Sequence, residues 1–505
     1  MRIDRDHFAA PSLRTVMGVS RMNWGRNWTL VLLALTLPAA VFTPAAGQTK
    51  APPEASRPAA AADTIQLAPT TAAESLLTSS TVPAGERWSL ARCVQTALER
   101  NADIRTAHAR SRQASGSALG GWSGILPSVT TEASYTQIRP DKARSQLFDP
   151  SGTFLGVNTK QEFTTLSATA SSNVISAASI VEKRRRDHVH RGSEFDEIET
   201  RNQVVYQVKQ QYFVLLKADR LAQVARETEK LARDEETRAD ALFQVGTVAR
   251  GDVLKARARR ATTQGDRLKA ESQVEIQAAK LGQIIGVRPG QRIVPDPKVE
   301  EGIVIPDSAA AIRLAIAARP RLESAKAAES AARSNLFGAR AVRLPSVTAT
   351  VTVDRSRIDE TVQGPFGDFS PTRYATEWQG SLRASLPIFD GLAIEGRVRQ
   401  AKGAMLEAES QRRQRELDVA VEVQQAWLTL REAVQRIDVA REGLTSAEED
   451  YKFSKGRYEL GAGTYLDLLT SEVGLATARQ SLVEAAADAR IAEAGLEFAV
   501  GAKRY

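Results

Sequence analysis

The chain has 505 residues, and its 68 Lys and Arg against 60 Asp and Glu give a formal net charge of +8. This mild basic excess is not typical of nucleic-acid-binding proteins, and one Cys with four His excludes a Cys-rich metal cluster or a disulfide framework. Apart from one stretch near the N-terminus, no apolar run approaches the roughly 20 residues of a membrane helix, which excludes a polytopic helical transporter.

The N-terminus has the pattern of a secretory signal peptide over residues 1–47. Arg21 and Arg26 precede a short apolar run at 29–37, and small residues precede the expected cleavage site. A retained signal anchor is the alternative, which the shortness of the apolar run disfavours. No Cys lies near the cleavage site, so no N-terminal lipid anchor is expected. The Pro- and Ala-rich segment 48–87 predicts a disordered leader.

The rest of the chain contains one pattern twice, which divides it into repeat 1 (88–300) and repeat 2 (301–505). The segments 100–129 and 318–347 align without a gap at an offset of 218 residues, and both end in Leu-Pro-Ser-Val. A second set of matches lies at an offset of 215 residues: Phe243, Gly246, Asp252, Leu254 and Gly286 correspond to Tyr458, Gly461, Asp467, Leu469 and Gly501.

Both repeats show the same order of helical and strand periodicity. The elements predicted for repeat 1 are a helix at 88–122, strands at about 125–137 and 163–175, and helices at 177–244 and 250–286. Those predicted for repeat 2 are a helix at 308–341, strands at about 345–355 and 376–388, and helices at 392–459 and 464–501. The loops at 138–161 and 356–375 carry Gly, Pro, Asp and Phe and are expected to be exposed.

The predicted strands alternate between apolar and polar residues, and each is about as long as a tilted membrane β-strand with one lipid face and one wet face. A water-soluble sheet over a helical core is the alternative; the signal peptide and the small polar residues of the second face favour the membrane. Four charged residues lie on that polar face and are expected to line a barrel lumen, unless they are merely solvated: Glu132, Asp354, Glu377 and Arg383.

The predicted long helices are too long to lie within a bilayer. The segment 177–244 contains no Pro and one Gly, and would span about 100 Å as a helix. Between 419 and 451, apolar residues keep the 4-3 spacing of a coiled-coil seam. Since lipid does not tolerate open strand edges and four strands cannot close a barrel, strands from several chains must share one barrel.

These features resemble the TolC family of outer-membrane efflux and secretion ducts over residues 88–501. The motifs that carry the resemblance are Leu-Pro-Ser-Val in both repeats, Leu-Pro-Ile-Phe-Asp-Gly at 386–391, and the two Gly turns. The resemblance implies a mostly α-helical homotrimer with a 12-stranded transmembrane β-barrel, continuous with a periplasmic α-helical tunnel. It also implies docking to a membrane-fusion adaptor and to an inner-membrane pump that supplies the energy, with no cofactor, metal or nucleic acid.

The resemblance further assigns roles at the two helix turns. Asp467 resembles an acidic ring that narrows the tunnel, although a helix N-terminal residue is an equal alternative, and Asp252 and Tyr458 match other gate positions. Gly463 stands where the family can have an Arg and Thr470 where it has a second acid, so fewer contacts are expected to hold the gate. The expected adaptor-contacting tips, or else plain hairpin turns, are Val245, Gly246, Thr247, Leu460, Gly461 and Ala462.

One charged motif fits no role in this scheme. The basic run at 183–191, which includes His188 and His190, follows a predicted strand. It is interpreted either as a contact with anionic headgroups or the tunnel mouth, or as a solvated helix start. The two His are too few to form a zinc site.

Three functions remain open at this level. The first is a passive, gated outer-membrane duct for efflux, and the second is a type I protein-secretion duct with the same fold. The third is a periplasmic coiled-coil scaffold without a pore, against which the alternating strands speak. No nucleophile–His–Asp order, phosphate-binding loop or CxxC pair occurs, so an enzyme is not expected.

Overall fold

The computed structural model describes residues 87–138, 159–288, 293–296, 302–364 and 367–501. The predicted signal peptide, almost all of the leader and most of the predicted loop at 138–161 lie outside these residues. Among the described residues, no helix combines the length and the apolar character needed to cross a bilayer.

Helices and strands follow the same order in both halves of the described chain. The first half contains β1 (Arg87–Trp88), α1 (Leu90–Arg100), α2 (Ala102–Gly120), β2 (Ser128–Ile138), β3 (Thr159–Ile175), α3 (Ala177–Gln244), α4 (Arg250–Ile285) and β4 (Val294–Pro295). The second half contains α5 (Ser308–Ala318), α6 (Pro320–Ala341), β5 (Ser346–Gly364), β6 (Gly367–Phe369), β7 (Thr372–Ser385), α7 (Ala393–Glu459) and α8 (Tyr465–Val500).

Two predicted helices are each broken into two. The helix predicted at 88–122 ends at Arg100, because the Asn101 side chain accepts hydrogen bonds from the backbone N–H groups of Asp103 and Ile104 (2.8 and 3.2 Å) and caps α2. The helix predicted at 308–341 breaks at Arg319, since Pro320 occupies the first position of α6, where its missing N–H costs nothing.

The strands extend further into the loops than predicted. β3 begins at Thr159 rather than 163, and β5 runs to Gly364. β5 and β7 pair without interruption from Ser346–Ser385 to Asp359–Thr372, so most of the predicted loop at 356–375 is a hairpin. The charged residues at 354–360 hide this extension, because they end the apolar alternation from which the strand was predicted.

The long strands form one antiparallel sheet in the order β2-β3-β5-β7, and β6 continues β7 along the same edge of β5. Within the described residues, β2 has a single neighbour, β3, and β7 has a single neighbour, β5. The sheet therefore has two open edges. Each strand meets a helix at the same end of the sheet, since the pairs Ser128–Ser171, Val347–Ile175 and Ser346–Ser385 lie there.

The helices form two continuous elements and two stacked pairs. α3 and α7 are continuous over 68 and 67 residues. Beside them, α4 is followed end to end by α2, and α8 by α6. At the first joint, Asn101 Nδ2 donates to the carbonyl of Ile284 (2.8 Å). At the second joint, Arg319, the residue aligned with Asn101 at offset 218, donates through Nη1 to the carbonyl of Ala499 (2.9 Å).

Arg319 is the most deeply buried charge of the second joint, with 1% of its side chain exposed. Its Nη1 lies 2.7 Å from Glu422 Oε2 and its Nη2 lies 3.5 Å from Glu199 Oε1. The guanidinium also lies 5.2 Å from the ring centroid of Phe498. Desolvation raises the pKa of Glu199, against the attraction of Arg319. The joint thus places one buried cation against two carboxylates and a helix C-terminus.

Candidate functional site

The two helix turns have the same backbone structure. Gly246 and Gly461 adopt positive φ angles of 80° and 70°, which glycine adopts without strain. The N–H of Thr247 donates to the carbonyl of Leu242 (3.0 Å), and the N–H of Ala462 donates to the carbonyl of Arg457 (2.8 Å), as in a Schellman motif. Val245 and Leu460 are 72% and 85% exposed. Each turn therefore presents an apolar side chain to its surroundings.

The ends of the two helical hairpins pack on each other through a small aromatic core. Tyr458 of α7 contacts Tyr465 of α8 edge to face, with ring centroids 5.8 Å apart. Ala239 of α3 and Val253 of α4 join the same buried cluster from the other hairpin. The Tyr458 hydroxyl is buried and has no hydrogen-bond partner among the described residues; burial raises its pKa, and the charge of Asp252 raises it further. Asp252 and Tyr458 are therefore neighbours without a hydrogen bond.

Asp467 caps the N-terminus of α8. Its N–H donates to Thr464 Oγ1 (3.2 Å), while its carboxylate accepts from the Thr464 N–H (3.2 Å). This reciprocal capping box stabilises the start of α8. The hydrogen bonds from Thr464 lower the pKa of the exposed Asp467 carboxyl, which stays ionised. The capping geometry corresponds to the alternative interpretation of Asp467, and within one chain Asp467 does not contact Asp252 or Tyr458 through a hydrogen bond.

Ion pairs that the sequence analysis missed join the two hairpins behind the turns. Arg259 Nε of α4 lies 3.2 Å from Glu472 Oε1 of α8, whose side chain is 2% exposed. Arg238 of α3 lies 2.8 Å from Glu235 and 3.4 Å from Glu459 of α7. A signal for Glu235 existed: it follows Ala232 by three residues and precedes Ala239 by four, so an acid occupies a seam position. Glu472 carries the same signal, since it follows Leu468 by four residues and precedes Leu475 by three.

Because of the buried acids Glu235 and Glu472, the packed ends of the two hairpins are expected to be more stable at low pH than at neutral pH. Burial raises the pKa of Glu235 and of Glu472 above the ordinary value of 4.5. A raised folded-state pKa means that protonation favours the folded state, so this contribution is complete below about 4.5 and is lost as the pH rises through the folded pKa. Amide hydrogen exchange at 458–468, corrected for intrinsic rates, should be slower at pH 5 than at pH 7.

The Glu235→Gln/Glu472→Gln variant supplies the control for this pH dependence. Both amides are neutral at every pH, so the corrected exchange rates at 458–468 should become nearly independent of pH. Faster exchange at pH 5 than at pH 7 in the unmodified chain would contradict the expected sign.

Strand register brings three of the four charged residues that were predicted to line the lumen into one row. Glu132 pairs with Ser167, Ser167 with Asp354, and Asp354 with Glu377, so these three acids and Ser167 lie side by side across β2, β3, β5 and β7. Neighbouring strands are about 4.8 Å apart, and no described residue forms an ion pair with these three carboxylates. Arg383 shares their face but pairs with Thr348, about 20 Å along the strand.

The two faces of the sheet differ in chemistry, yet both are exposed. The face with the acidic row also carries rows of Ser and Thr, for example Thr130, Thr169 and Thr352. The opposite face carries Ala168, Val353 and Trp378 in one row. Every residue of β2, and all but one of β7, is exposed. A sheet without a covered face does not bury enough apolar surface to be stable alone in water.

Comparison with known families identifies a match over most of the chain. A family model described as outer membrane efflux protein matches residues 93–287 and 311–502. The chain is 28% identical over 292 residues to protein CyaE of Bordetella pertussis, which covers 57% of this chain and 60% of that protein. It is 27% identical over 189 residues to the alkaline protease secretion protein AprF of Pseudomonas aeruginosa, which covers 37% of this chain and 39% of AprF.

A third relative and one solved structure agree with this match. Outer membrane protein TolC of Escherichia coli is 24% identical over 267 residues, with 51% of this chain and 53% of TolC covered. The chain thus spans about half the length of the curated relatives it matches. The crystal structure of the outer membrane protein VceC of Vibrio cholerae superposes with a TM-score of 0.67 at 18% identity, covering 82% of this chain and 96% of VceC. At that identity, the likeness shows a shared fold.

Proposed function

Because the chain belongs to the outer membrane efflux protein family, we propose that it is the outer-membrane channel of a tripartite efflux or secretion system. In this role it is a passive, gated duct rather than an enzyme. An inner-membrane pump supplies the energy, and a periplasmic adaptor contacts the tips around Gly246 and Gly461. The family match and the exposed apolar residues Val245 and Leu460 support this assignment.

The single observation that carries the proposal is the sheet, which is open at both edges and exposed on both faces. Unpaired backbone groups in lipid each cost several kcal/mol, so membrane strands occur in closed barrels. The apolar face suits lipid, and the face with the acidic row suits water. Three chains, each with β2, β3, β5 and β7, would close a 12-stranded barrel in which β2 of one chain pairs with β7 of the next.

The contacts between the hairpin ends support a gate at the opposite end of the molecule. Arg259–Glu472 and Arg238–Glu459 connect the α7–α8 hairpin to the α3–α4 hairpin. In a trimer, separation of the hairpins at these pairs would widen the tunnel end. Asp252, Tyr458 and Asp467 remain proposed gate residues, with Gly463 in place of an Arg.

Cross-linking between strand edges tests the shared barrel. The chain has one Cys, Cys93, which is fully buried; burial raises its thiol pKa to about 12, so it should not compete. We expect Ser134→Cys on β2 and Gln379→Cys on β7, treated with a flexible bismaleimide in outer membranes, to yield covalent dimers and trimers.

The matched control pairs two inner strands of one chain. The hydroxyls of Thr169 on β3 and Thr352 on β5 lie 3.2 Å apart, so Thr169→Cys/Thr352→Cys should cross-link within one chain and migrate as a monomer. Native mass in mild detergent should equal three chains. A monomer in the periplasm, with no cross-link between β2 and β7, would favour the scaffold without a pore.

Protein secretion is a second candidate, because the name of one relative, AprF, describes it as an alkaline protease secretion protein. A secretion duct and an efflux duct would share the barrel and the tunnel. Deletion of the gene separates them: loss of a secreted protein from the medium indicates secretion, and greater sensitivity to small toxic solutes indicates efflux.

A further inference from the structure

The end of the sheet that meets the helices carries a band of exposed apolar side chains. Leu126 and Leu344, from the two Leu-Pro-Ser-Val motifs, are 55% and 54% exposed. Ile388, Phe389 and Leu392, between β7 and α7, are 94%, 81% and 70% exposed. Leu392 also adopts a positive φ of 71°, which is strained for a residue with a side chain. Single scattered apolar residues need no explanation, but these cluster at one level of the molecule.

On β7, the exposed residues that follow the strand extend its apolar face. On β7, the apolar face from Trp378 to Ala384 spans six residues, about 20 Å along the strand and about 15 Å at a tilt of 40°. β7 ends at Ser385, and the exposed side chains of Leu386 and Ile388 continue the apolar surface beyond it, toward the height of about 25 Å that is usual for a membrane barrel. At the other end of the face, Arg355 closes the band. The edge of the hydrocarbon layer on the side of the helices therefore falls near Ile388.

Directly beyond this edge, three helix ends are rich in cations. We call the segments 177–187, 338–345 and 386–402 the basic collar; they hold nine Lys and Arg against four Asp and Glu. Lys183 lies 4.8 Å from the ring centroid of Trp122 at the fourth helix end. Arg186 lies about 14 Å along α3 from its start, and Arg399 about 9 Å along α7. Long Arg side chains extend toward the headgroup layer and so shorten these distances.

We propose that the basic collar binds the anionic headgroups of the phospholipid leaflet that faces the helices. The inference rests on the proposed membrane insertion of the sheet. For the basic run at 183–191, whose sequence leaves open a contact with anionic headgroups or with the tunnel mouth, it selects the headgroups. Charge complementarity supports this binding, because anionic headgroups attract cations at the membrane surface and the apolar band places the basic collar at that surface.

Quenching of tryptophan fluorescence by brominated lipids tests the proposal. Trp122 and Trp378 lie at the membrane level, whereas Trp88 is 4% exposed and Trp427 lies about 50 Å along α7. The mature chain, without the predicted signal peptide that carries Trp24 and Trp28, is inserted into phosphatidylcholine vesicles containing either brominated phosphatidylglycerol or brominated phosphatidylcholine. We expect stronger quenching by the anionic lipid at low salt, and no preference in 1 M salt, where the Debye length is about 3 Å.

The test variant removes three exposed collar cations, in Arg184→Gln/Arg340→Gln/Arg399→Gln. Each cation near an anionic surface changes affinity by a factor of about five, so the preference should fall at least fivefold. Arg184→Lys/Arg340→Lys/Arg399→Lys keeps the charge and should keep the preference. Arg257→Gln/Arg413→Gln/Arg441→Gln removes three exposed cations far from the collar and should also keep it.

The outcomes separate this inference from the proposed function. If the chain inserts and both lipids quench equally, or if the collar variant keeps its preference, the inference is wrong and the barrel stands. If the collar variant changes only the ion selectivity of the channel, the collar lines the tunnel mouth instead. If neither lipid quenches, the membrane barrel itself fails.

Discussion

Replacement of Arg319 by Met is expected to lower the free energy of unfolding by about 3–5 kcal/mol. The substitution leaves Glu199 half-buried without its cation and removes a hydrogen bond to the C-terminal carbonyl of Ala499. A buried acid without a partner must be desolvated with no compensation or be protonated. The denaturant midpoint of the helical circular dichroism signal, measured in detergent, gives the change.

Arg321 offers a matched control for this substitution. It lies 3.1 Å from the same Glu422, but 40% of its side chain is exposed. Arg321→Met should cost less than about 1 kcal/mol, the usual range for exposed ion pairs. Arg319→Met/Glu199→Gln should recover part of the loss, because the uncompensated charge is then absent. Equal midpoints for Arg319→Met and Arg321→Met would show that the buried cation does not stabilise the joint.

Neutralisation of the acidic row is expected to remove most of the cation preference of the channel. If three chains share one barrel, Glu132, Asp354 and Glu377 contribute nine carboxylates to one level of the lumen. Rings of acids favour cations over anions in a pore. For Glu132→Gln/Asp354→Asn/Glu377→Gln, the cation-to-anion permeability ratio at 0.01 M salt should fall by about tenfold, or about 1.4 kcal/mol. Reversal potentials in planar bilayers measure this ratio.

Salt and position provide two controls for the acidic row. The effect should shrink in 1 M salt, because the screening length falls from about 30 Å to about 3 Å. Arg355→Gln changes the charge of the neighbouring residue on the opposite face of β5, and should leave selectivity unchanged. A triple variant with the selectivity of the unmodified channel would mean that the polar face does not line the conducting path.

Much of the fold could be predicted because it follows from local rules. α3 runs from Ala177 to Gln244, as predicted, because no Pro and one Gly leave the helix uninterrupted. The break at Asn101 was missed because the helical spacing continues through it, from Ala97 to Ile104, although Asn favours caps over helix interiors. The broken helix at Arg319 had a local signal in Pro320, which the apolar periodicity on both sides concealed.

In the candidate site, too, the features set by local sequence could be predicted, and those set by distant contacts could not. The turn glycines could be found from the offset between Gly246 and Gly461, and the acidic face could be found from alternation along each strand. The row itself depends on register between strands that are far apart in sequence, which no single strand reveals. The pairing of Glu472 was missed for a similar reason, since its partner Arg259 lies on a different hairpin.

The stacked helices have a mechanical consequence. α3 and α7 are continuous, so their hairpin ends can move only if the whole helix bends. The stacked pairs α4–α2 and α8–α6 can instead pivot at the joint where one helix abuts the next. A pivot at Asn101 strains a neutral amide hydrogen bond (2.8 Å), but a pivot at Arg319 must also separate charges. The joint at Arg319 should therefore resist pivoting more than the joint at Asn101 does.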